Sequence, residues 1–237
     1  MRVAIVTVGD ELLAGDTVNT NAAWLGQQLA ERGVDVERST TVPDRVADIA
    51  DVVDEYRDRY DAVVVTGGLG PTHDDLTMDG VAAAFDVPVA ESEAALEWLA
   101  DDGYTRDDLA EGTADIPAGA EPLHNEEGVA PGCVMGNVYV LPGVPAEMEA
   151  MFASIADRFV GSETHVAFVT VDEPESALID RFERLREAFD VQVGSYPGEH
   201  VRVKIRGDEE RVVQEAAAWL REQVDLAEGT DDERVDG

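Results

Sequence analysis

The chain has 237 residues, 44% of them hydrophobic, and its 52 acidic and 17 basic residues give a formal net charge of −35. This length fits one large domain, or one domain with a small second unit. The charge disfavours binding to nucleic acid and to anionic membranes at low salt, because all of these surfaces are negative. No apolar run is long enough to span a bilayer, and the single cysteine, Cys133, excludes an internal disulfide.

The acidic residues are spread over every predicted helix and are not collected in one tail. We interpret this pattern as the surface of a protein from a salt-loving organism, adapted to concentrated cations that screen the repulsion. The lack of disulfides fits a reducing compartment. The sequence therefore predicts a cytoplasmic protein. Its net charge indicates the salinity of its environment and says little about its function.

Strands and helices alternate through the first eighty or so residues. Strands are predicted at Arg2–Val8, Val34–Thr40 and Ala62–Thr66, and the helices between them repeat apolar residues at helical spacing. Thr20 or Asn21 is placed to cap the first of these helices. The alternation predicts an α/β fold, a doubly wound and mostly parallel sheet.

The later elements are predicted from shorter patterns, and residues 102–116 are assigned only as a short helix or loop. Gly161-Ser162 is predicted as a boundary, which gives domains at 1–161 and 162–227 and a disordered acidic tail at 228–237. The second domain is predicted as a small α+β unit. Before the boundary, the predicted helices are Met78–Phe85, Ser92–Asp101 and a third that begins near Pro145, and the predicted strands are Ala120–Leu123, Gly132–Met135 and Val138–Leu141.

The most distinctive motif is the loop Thr66–Thr77, which reads Thr-Gly-Gly-Leu-Gly-Pro-Thr-His-Asp-Asp-Leu-Thr. It follows an apolar strand and precedes a helix, and its glycines let the backbone approach a ligand closely. Backbone N–H groups at such a junction attract anions. The carboxylates could hold a cation or contact hydroxyl and amino groups. The structural alternative is a tight turn whose Asp and Thr side chains cap the helix.

Polar clusters also follow the other strands, and ligands of open α/β sheets bind at the carboxyl ends of the strands. Structural alternatives stay open, because Asp44 could cap a helix and Asp10 and Glu11 could form a solvated turn. The clusters are Gly9-Asp10-Glu11, Asp44, the 66–77 loop and Pro142-Gly143.

Several other site types are not supported. Gly68-Leu-Gly70 lacks the third glycine of a dinucleotide fingerprint and follows the third strand instead of the first. The chain has no Walker-type phosphate loop. His73 has no spaced partner for a zinc site, and Cys133 fits a buried apolar position better than a catalytic one.

Four segments resemble the molybdopterin-binding (MoaB/Mog-like) family, and within it the amino-terminal part of competence/damage-inducible protein A (CinA-like). The segments are Thr7-Val-Gly-Asp-Glu-Leu, Val42-Pro-Asp44, the 66–77 loop and Leu141-Pro-Gly-Val-Pro-Ala-Glu-Met. The resemblance implies that Asp44 and Asp75 are the functional acids and can hold a divalent metal ion. It also implies a molybdopterin-type ligand of the molybdenum cofactor kind. For the competence-protein branch it implies metal-dependent hydrolysis of ADP-ribose-like pyrophosphates.

Three functions stay open: a ligand-binding protein, a pyrophosphatase that uses the same site, and a non-catalytic interaction module. The amidase domain of the competence-protein family has no counterpart here, so amidase activity is not expected. The expected partners are a small-molecule ligand and further copies of the chain in a homo-oligomer, without nucleic acid or membrane. The residues expected to contact the ligand are Thr7, Gly9, Asp10, Glu11, Asn21, Thr66, Gly67, Gly68, Gly70, Thr72, Thr77, Pro142 and Gly143.

The small second domain resembles RNA-binding KH modules in its order of strands and helices. Those modules grip the nucleic-acid backbone with a Gly-x-x-Gly loop between two helices. Here Gly194 and Gly198 are spaced differently and lie between strands, in acidic surroundings. We therefore expect no RNA binding and a role in packing or oligomerisation.

Overall fold

The computed structural model describes residues 1–162 and 164–227. Contacts within the chain divide it into two compact units, Met1–Gly161 and a second that begins at Ser162. The predicted tail 228–237 lies outside the described residues. No helix in the described part of the chain is both long and apolar enough to cross a membrane.

The first unit alternates strands and helices through its first half and carries shorter strands in its second. Its strands are β1 (Arg2–Val8), β2 (Asp35–Val42), β3 (Ala62–Gly67), β4 (Val89–Glu91), β5 (Asp115–Pro117), β6 (Glu121–Leu123), β7 (Gly132–Met135) and β8 (Val138–Pro142). Its helices are α1 (Asp10–Ala14), α2 (Thr20–Glu31), α3 (Val46–Arg59), α4 (Thr77–Ala84), α5 (Glu93–Asp101) and α6 (Pro145–Ile155).

Six strands form the central sheet in the order β2-β1-β3-β8-β7-β6. The strands β2, β1, β3 and β8 pair in parallel, and β7 pairs antiparallel with both β8 and β6. The predicted α/β class with a mostly parallel sheet is confirmed. Because β1, β2, β3 and β8 run in one direction, their carboxyl ends meet along one edge of the sheet.

Both faces of this sheet are covered, as its strand sequences require. Successive residues of β1 point to opposite faces, so Val6 joins the cluster that contains Ile49 of α3. Ile5 joins the other cluster, with Leu25 of α2 and Phe152 of α6. Each fully buried side chain of this size contributes about 1.5–3 kcal/mol. The two apolar layers hold the strand ends in a fixed arrangement.

The segment after β1, where Asp10 and Glu11 could have formed a solvated turn, is helical. Residues Asp10–Ala14 form helix α1, which ends at Gly15 with a φ of 78°, a left-handed backbone that favours glycine. Neither Thr20 nor Asn21 caps α2. Its cap is Asn19, whose side chain accepts the Ala22 N–H at 3.0 Å. Because Asn19 lies one residue before the helix, its side chain reaches the free N–H groups of the first turn.

The second unit is a small two-layer structure. Strands β9 (His165–Val171), β10 (Gln192–Tyr196) and β11 (Val201–Gly207) form an antiparallel sheet in the order β10-β11-β9. Helices α7 (Ile179–Ala188) and α8 (Glu210–Arg221) pack their apolar faces against it. The unit is therefore held together by a separate apolar core.

Candidate functional site

A cleft of about 610 Å³ lies at the carboxyl ends of the parallel strands. Gly9 follows β1, Asp44 follows β2, Gly67 ends β3 and Pro142 ends β8, and all four residues line the cleft. The Gly9 N–H donates to the Val42 carbonyl at 3.1 Å, which joins the ends of β1 and β2. The cleft occupies the place where open α/β sheets bind ligands.

The glycine loop folds around its own carboxylate. Asp75 is half-buried, and its carboxylate lies so close to Gly68 and Gly70 that a Cβ at either glycine would collide with it. The Thr72 hydroxyl donates to Asp75 Oδ2. Neither glycine has a left-handed φ, so close approach is the reason that glycine is required here. The loop therefore presents Asp75 at the cleft in a fixed position.

The loop contains a tight turn, in which the Asp75 N–H donates to the Thr72 carbonyl at 3.0 Å, but the helix capping of the structural alternative is not observed. Helix α4 is preceded by Leu76 at the N-cap position, and no side chain makes a capping hydrogen bond there. Asp75 and Thr72 instead bond to each other. Helix capping therefore does not explain the polar residues of the loop.

Asp44 also has a contact other than the predicted cap. The N-cap residue of α3 is Arg45, again without a capping side chain, whereas Asp44 Oδ2 accepts the backbone N–H of Asp10 at 2.8 Å. Asp44 thus fixes the start of α1 beside the end of β2, while it also lines the cleft. Glu11 lines the cleft from α1.

One wall of the cleft was not predicted. Glu147, in the first turn of α6, lines the cleft together with Gly128 from the loop between β6 and β7. Asn125 Nδ2 donates to Glu147 Oε2 at 2.8 Å and to the Ala130 carbonyl at 2.9 Å. The only signal in the sequence was the position of Glu147 in the Pro-Gly-Val-Pro-Ala-Glu-Met segment. Asn125 gave no signal.

Several residues predicted to contact the ligand do not line the cleft. Thr7 is 0% exposed, and its hydroxyl is bonded to Thr41 Oγ1 at 2.9 Å and to Asn19 Nδ2 at 2.9 Å, so it stabilises the sheet below the cleft. Thr72 acts through Asp75. Asp10 contributes its backbone N–H to Asp44 and no side-chain contact to the cleft.

Thr77 is fully buried behind the cleft. A Cβ at Gly67 would collide with the Thr77 hydroxyl, and this hydroxyl has no hydrogen-bond partner among the described residues. It therefore supports the loop from behind, and its oxygen remains unpartnered.

Asn21 and Thr66 line a second pocket of about 90 Å³, which shares Val8, Glu11 and Gly143 with the cleft. Asn21 Nδ2 donates to the Gly143 carbonyl at 2.8 Å. This bond fixes the loop that follows β8. The structure therefore brings the predicted Gly9, Glu11, Asp44, Gly67, Gly68, Gly70, Asp75, Pro142 and Gly143 together in the cleft.

The side chains of the cleft are acidic and not basic. Glu11, Asp44, Asp74, Asp75 and Glu147 line it, and no described lining residue is Lys, Arg or His. Among the described residues no cluster of three or more His, Cys, Asp or Glu side chains is arranged to hold a metal ion. Magnesium is commonly held by one or two carboxylates together with phosphate oxygens of the substrate. Asp44 and Asp75 are two of the carboxylates in the lining of the cleft.

Cys133 and His73, which could have acted as a catalytic thiol and a metal ligand, do not line the cleft. Cys133 is 0% exposed, and burial raises the pKa of its thiol to about 12. His73 has a side chain that is 98% exposed, 3.5 Å from Asp74, and it does not line the cleft. The described lining of the cleft therefore contains no thiol or imidazole group.

Comparisons with known proteins agree with this architecture. A domain family described as "Probable molybdopterin binding domain" matches residues 4–161, and one described as "FAD synthase, middle domain" matches residues 163–231. A protein of Archaeoglobus fulgidus is 38% identical over 224 residues, which cover 94% of this chain and 97% of that protein. A CinA-like protein of Frankia casuarinae is 46% identical over 167 residues, 65% of this chain and 39% of that protein.

Among solved structures, the crystal structure of the protein CinA from Thermoplasma acidophilum is similar to this chain. The TM-score is 0.61 at 38% sequence identity, and the match covers 68% of this chain and 99% of the other.

Proposed function

The chain belongs to the molybdopterin-binding domain family, whose model covers residues 4–161, and from that premise we propose that its cleft binds a small molecule that carries a phosphate or pyrophosphate group. Ligands of this type include molybdopterin and nucleotide pyrophosphates. One observation carries the proposal: the cleft joins a glycine loop to several carboxylates, and no basic side chain is found in its described lining.

A phosphate in this cleft needs positive charge from a source other than side chains. Backbone N–H groups of the glycine loop supply part of it. Asp44 and Asp75 would hold a divalent cation, and such a cation would supply the remaining positive charge for the phosphate. Asp75 is fixed for this role by Thr72 and the adjacent glycines. Asp44 is fixed by the Asp10 N–H.

Hydrolysis of an ADP-ribose-type pyrophosphate is the second candidate function. It is favoured by the surplus of carboxylates over those that one cation needs, because a free carboxylate can orient a water molecule and accept its proton. The water oxygen would bond to one phosphorus while the bridging P–O bond breaks, which leaves two phosphate monoesters. The intact glycine loop argues against a non-catalytic interaction module.

The test uses purified protein at molar salt with ADP-ribose, in the presence and absence of magnesium, manganese or cobalt(II). Ligand-dependent thermal stabilisation that requires the metal supports binding, and release of AMP adds hydrolysis. Absence of both signals under every condition contradicts the proposal. Stabilisation without AMP release leaves the protein as a binding protein.

The acidic surface leads to a further part of the proposal, which concerns salt and assembly. Because carboxylates of a chain with net charge −35 repel one another, its stability should rise with salt beyond roughly 0.15 M, where ordinary surface charges are already screened. We propose a homo-oligomer at molar salt that dissociates as salt is removed. Light scattering and circular dichroism across a salt series test this, and a folded protein of unchanged mass at both extremes contradicts it.

A further inference from the structure

The wall of the cleft formed by Glu147 is held by a buried polar side chain. Asn125 is 4% exposed and lies in the loop between β6 and β7. Its Nδ2 group donates to Glu147 Oε2 at 2.8 Å and to the Ala130 carbonyl at 2.9 Å. A Cβ at Gly128 would collide with the same Glu147 oxygen. The loop therefore encloses the Glu147 carboxylate on two sides.

The orientation of the Asn125 amide follows from its neighbours. Both contacts of Nδ2 are acceptors, so exchanging the nitrogen and the oxygen would place Oδ1 against two other acceptor oxygens. In the observed orientation Oδ1 is buried and has no hydrogen-bond partner among the described residues. An amide that leaves its own oxygen unpartnered in order to donate to Glu147 indicates that the position of Glu147 matters.

We propose that Asn125 is a positioning residue, and that it holds Glu147 as an acceptor for the hydroxyl or amino groups on the part of the ligand beyond its phosphates. An anionic carboxylate repels phosphate oxygens, whereas it accepts hydrogen bonds from sugar hydroxyls and from ring amino groups. Glu147 thereby selects a pyrophosphate that carries a sugar or pterin over a bare pyrophosphate. This inference rests on the proposed ligand class and specifies which part of that ligand Glu147 recognises.

The experiment compares the affinities of ADP-ribose and of inorganic pyrophosphate, both with magnesium at molar salt. Glu147→Gln keeps the side-chain volume and an oxygen that can accept from Asn125, but it removes the charge. We expect about a tenfold loss of ADP-ribose affinity, with pyrophosphate affinity unchanged, because a hydrogen bond to a neutral acceptor is weaker than one to a carboxylate. Glu126→Gln is the matched control, because Glu126 is exposed in the same loop and does not line the cleft.

Asn125→Ala should lower the ratio of the two affinities to the same extent, and adding it to Glu147→Gln should cause little further loss, because the two side chains act as one unit. The ratio of ADP-ribose affinity to pyrophosphate affinity separates a positioning role of Asn125 from a loss of stability, since a partly unfolded protein binds both ligands more weakly by the same factor. Equal weakening of both ligands by Glu147→Gln, or no weakening, overturns this inference alone. A parent protein that binds neither ligand overturns the proposed function as well.

Discussion

The two units of the chain differ in what they bury. The first unit encloses all six buried polar side chains found among the described residues, and three of these have an atom without a hydrogen-bond partner. In residues 164–227 every described buried side chain is apolar. The six are Thr7, Asn21, Thr66, Thr77, Thr113 and Asn125.

The three residues that carry these unpartnered atoms all contact the lining of the cleft. Asn21 bonds to Gly143, Thr77 packs against Gly67, and Asn125 bonds to Glu147, so each contacts a residue that lines it. A buried polar atom without a partner costs about 1–3 kcal/mol. The first unit therefore gives up stability near the site, whereas every described buried side chain of the second unit is apolar.

The largest expected effect tests whether the second unit is separate from binding. Leu185 of α7 is 0% exposed, and Leu185→Ala should lower the stability of that unit by about 2–5 kcal/mol. We expect calorimetry to show one earlier transition and isothermal titration to show an unchanged affinity for ADP-ribose. Leu29→Ala, at an equally buried position of the first unit, is the control that should shift the other transition. A loss of affinity in folded Leu185→Ala protein would remove the distinction between the units.

The next effect concerns the first unit and its loop. Asp75→Asn should leave the melting temperature nearly unchanged but lower ligand affinity or turnover by at least about a hundredfold, because even residues that only orient metal ligands contribute 10–100-fold. Asp79→Asn is the control, since Asp79 is exposed and outside the cleft. An Asp75→Asn protein that melts much earlier and binds normally would show that Asp75 is structural.

A smaller effect on stability is expected from two buried threonines of the first unit, which differ in their hydrogen bonding. The Thr77 hydroxyl has no partner, whereas the Thr113 hydroxyl donates to the Ala110 carbonyl at 2.8 Å. Thr77→Val should therefore raise the free energy of unfolding by about 1 kcal/mol, and Thr113→Val should lower it by about the same amount. Urea denaturation measures both. Equal destabilisation by the two substitutions would mean that the Thr77 oxygen is satisfied in solution.

The smallest effect is a difference in pH dependence between one carboxyl group of each unit. Burial, and then the negative charge of Glu91, raise the pKa of Asp115 above its ordinary value. The folded protein binds a proton at Asp115 more tightly than the unfolded chain does. The contribution of Asp115 to the free energy of unfolding therefore falls as pH rises from the ordinary carboxyl pKa through the raised one. Asp115→Asn should melt at a higher temperature than the parent at pH 7, and this gain should vanish below the ordinary pKa.

Glu173 in the second unit should behave in the opposite way. The Arg181 guanidinium, and then the Asp225 N–H, hold the pKa of Glu173 below its ordinary value. The resulting contribution of Glu173 to the free energy of unfolding is fully present above the ordinary carboxyl pKa and is lost as pH falls through the lowered pKa. Glu173→Gln should therefore melt earlier than the parent at pH 7 and match it in strong acid. The same sign of change in both variants at pH 7 would contradict the assigned causes.

Strands, helices and loops with a clear local sequence pattern could be predicted from the sequence. The apolar runs predicted β1 and the α/β class, because strand and helix periods are set by neighbouring residues. The density of glycine and polar residues at 66–77 drew attention to the loop that lines the cleft. The positions of Asp44 and of the loop that carries Asp75, each after a strand, followed from the order of the elements, because parallel strands place their carboxyl ends on one edge.

The contacts between side chains that are distant in sequence could be found only from the tertiary structure. Asn125 and Glu147 are 22 residues apart, and Asp10 and Asp44 are 34 apart, and no local period relates either pair. Thr7 shows the same difficulty, since its hydroxyl is taken up by the neighbouring strand and by Asn19. A hydrogen bond depends on a few tenths of an ångström between groups that the whole fold brings together. Residue type and spacing therefore identified the edge of the sheet, and packing selected the side chains that reach the cleft.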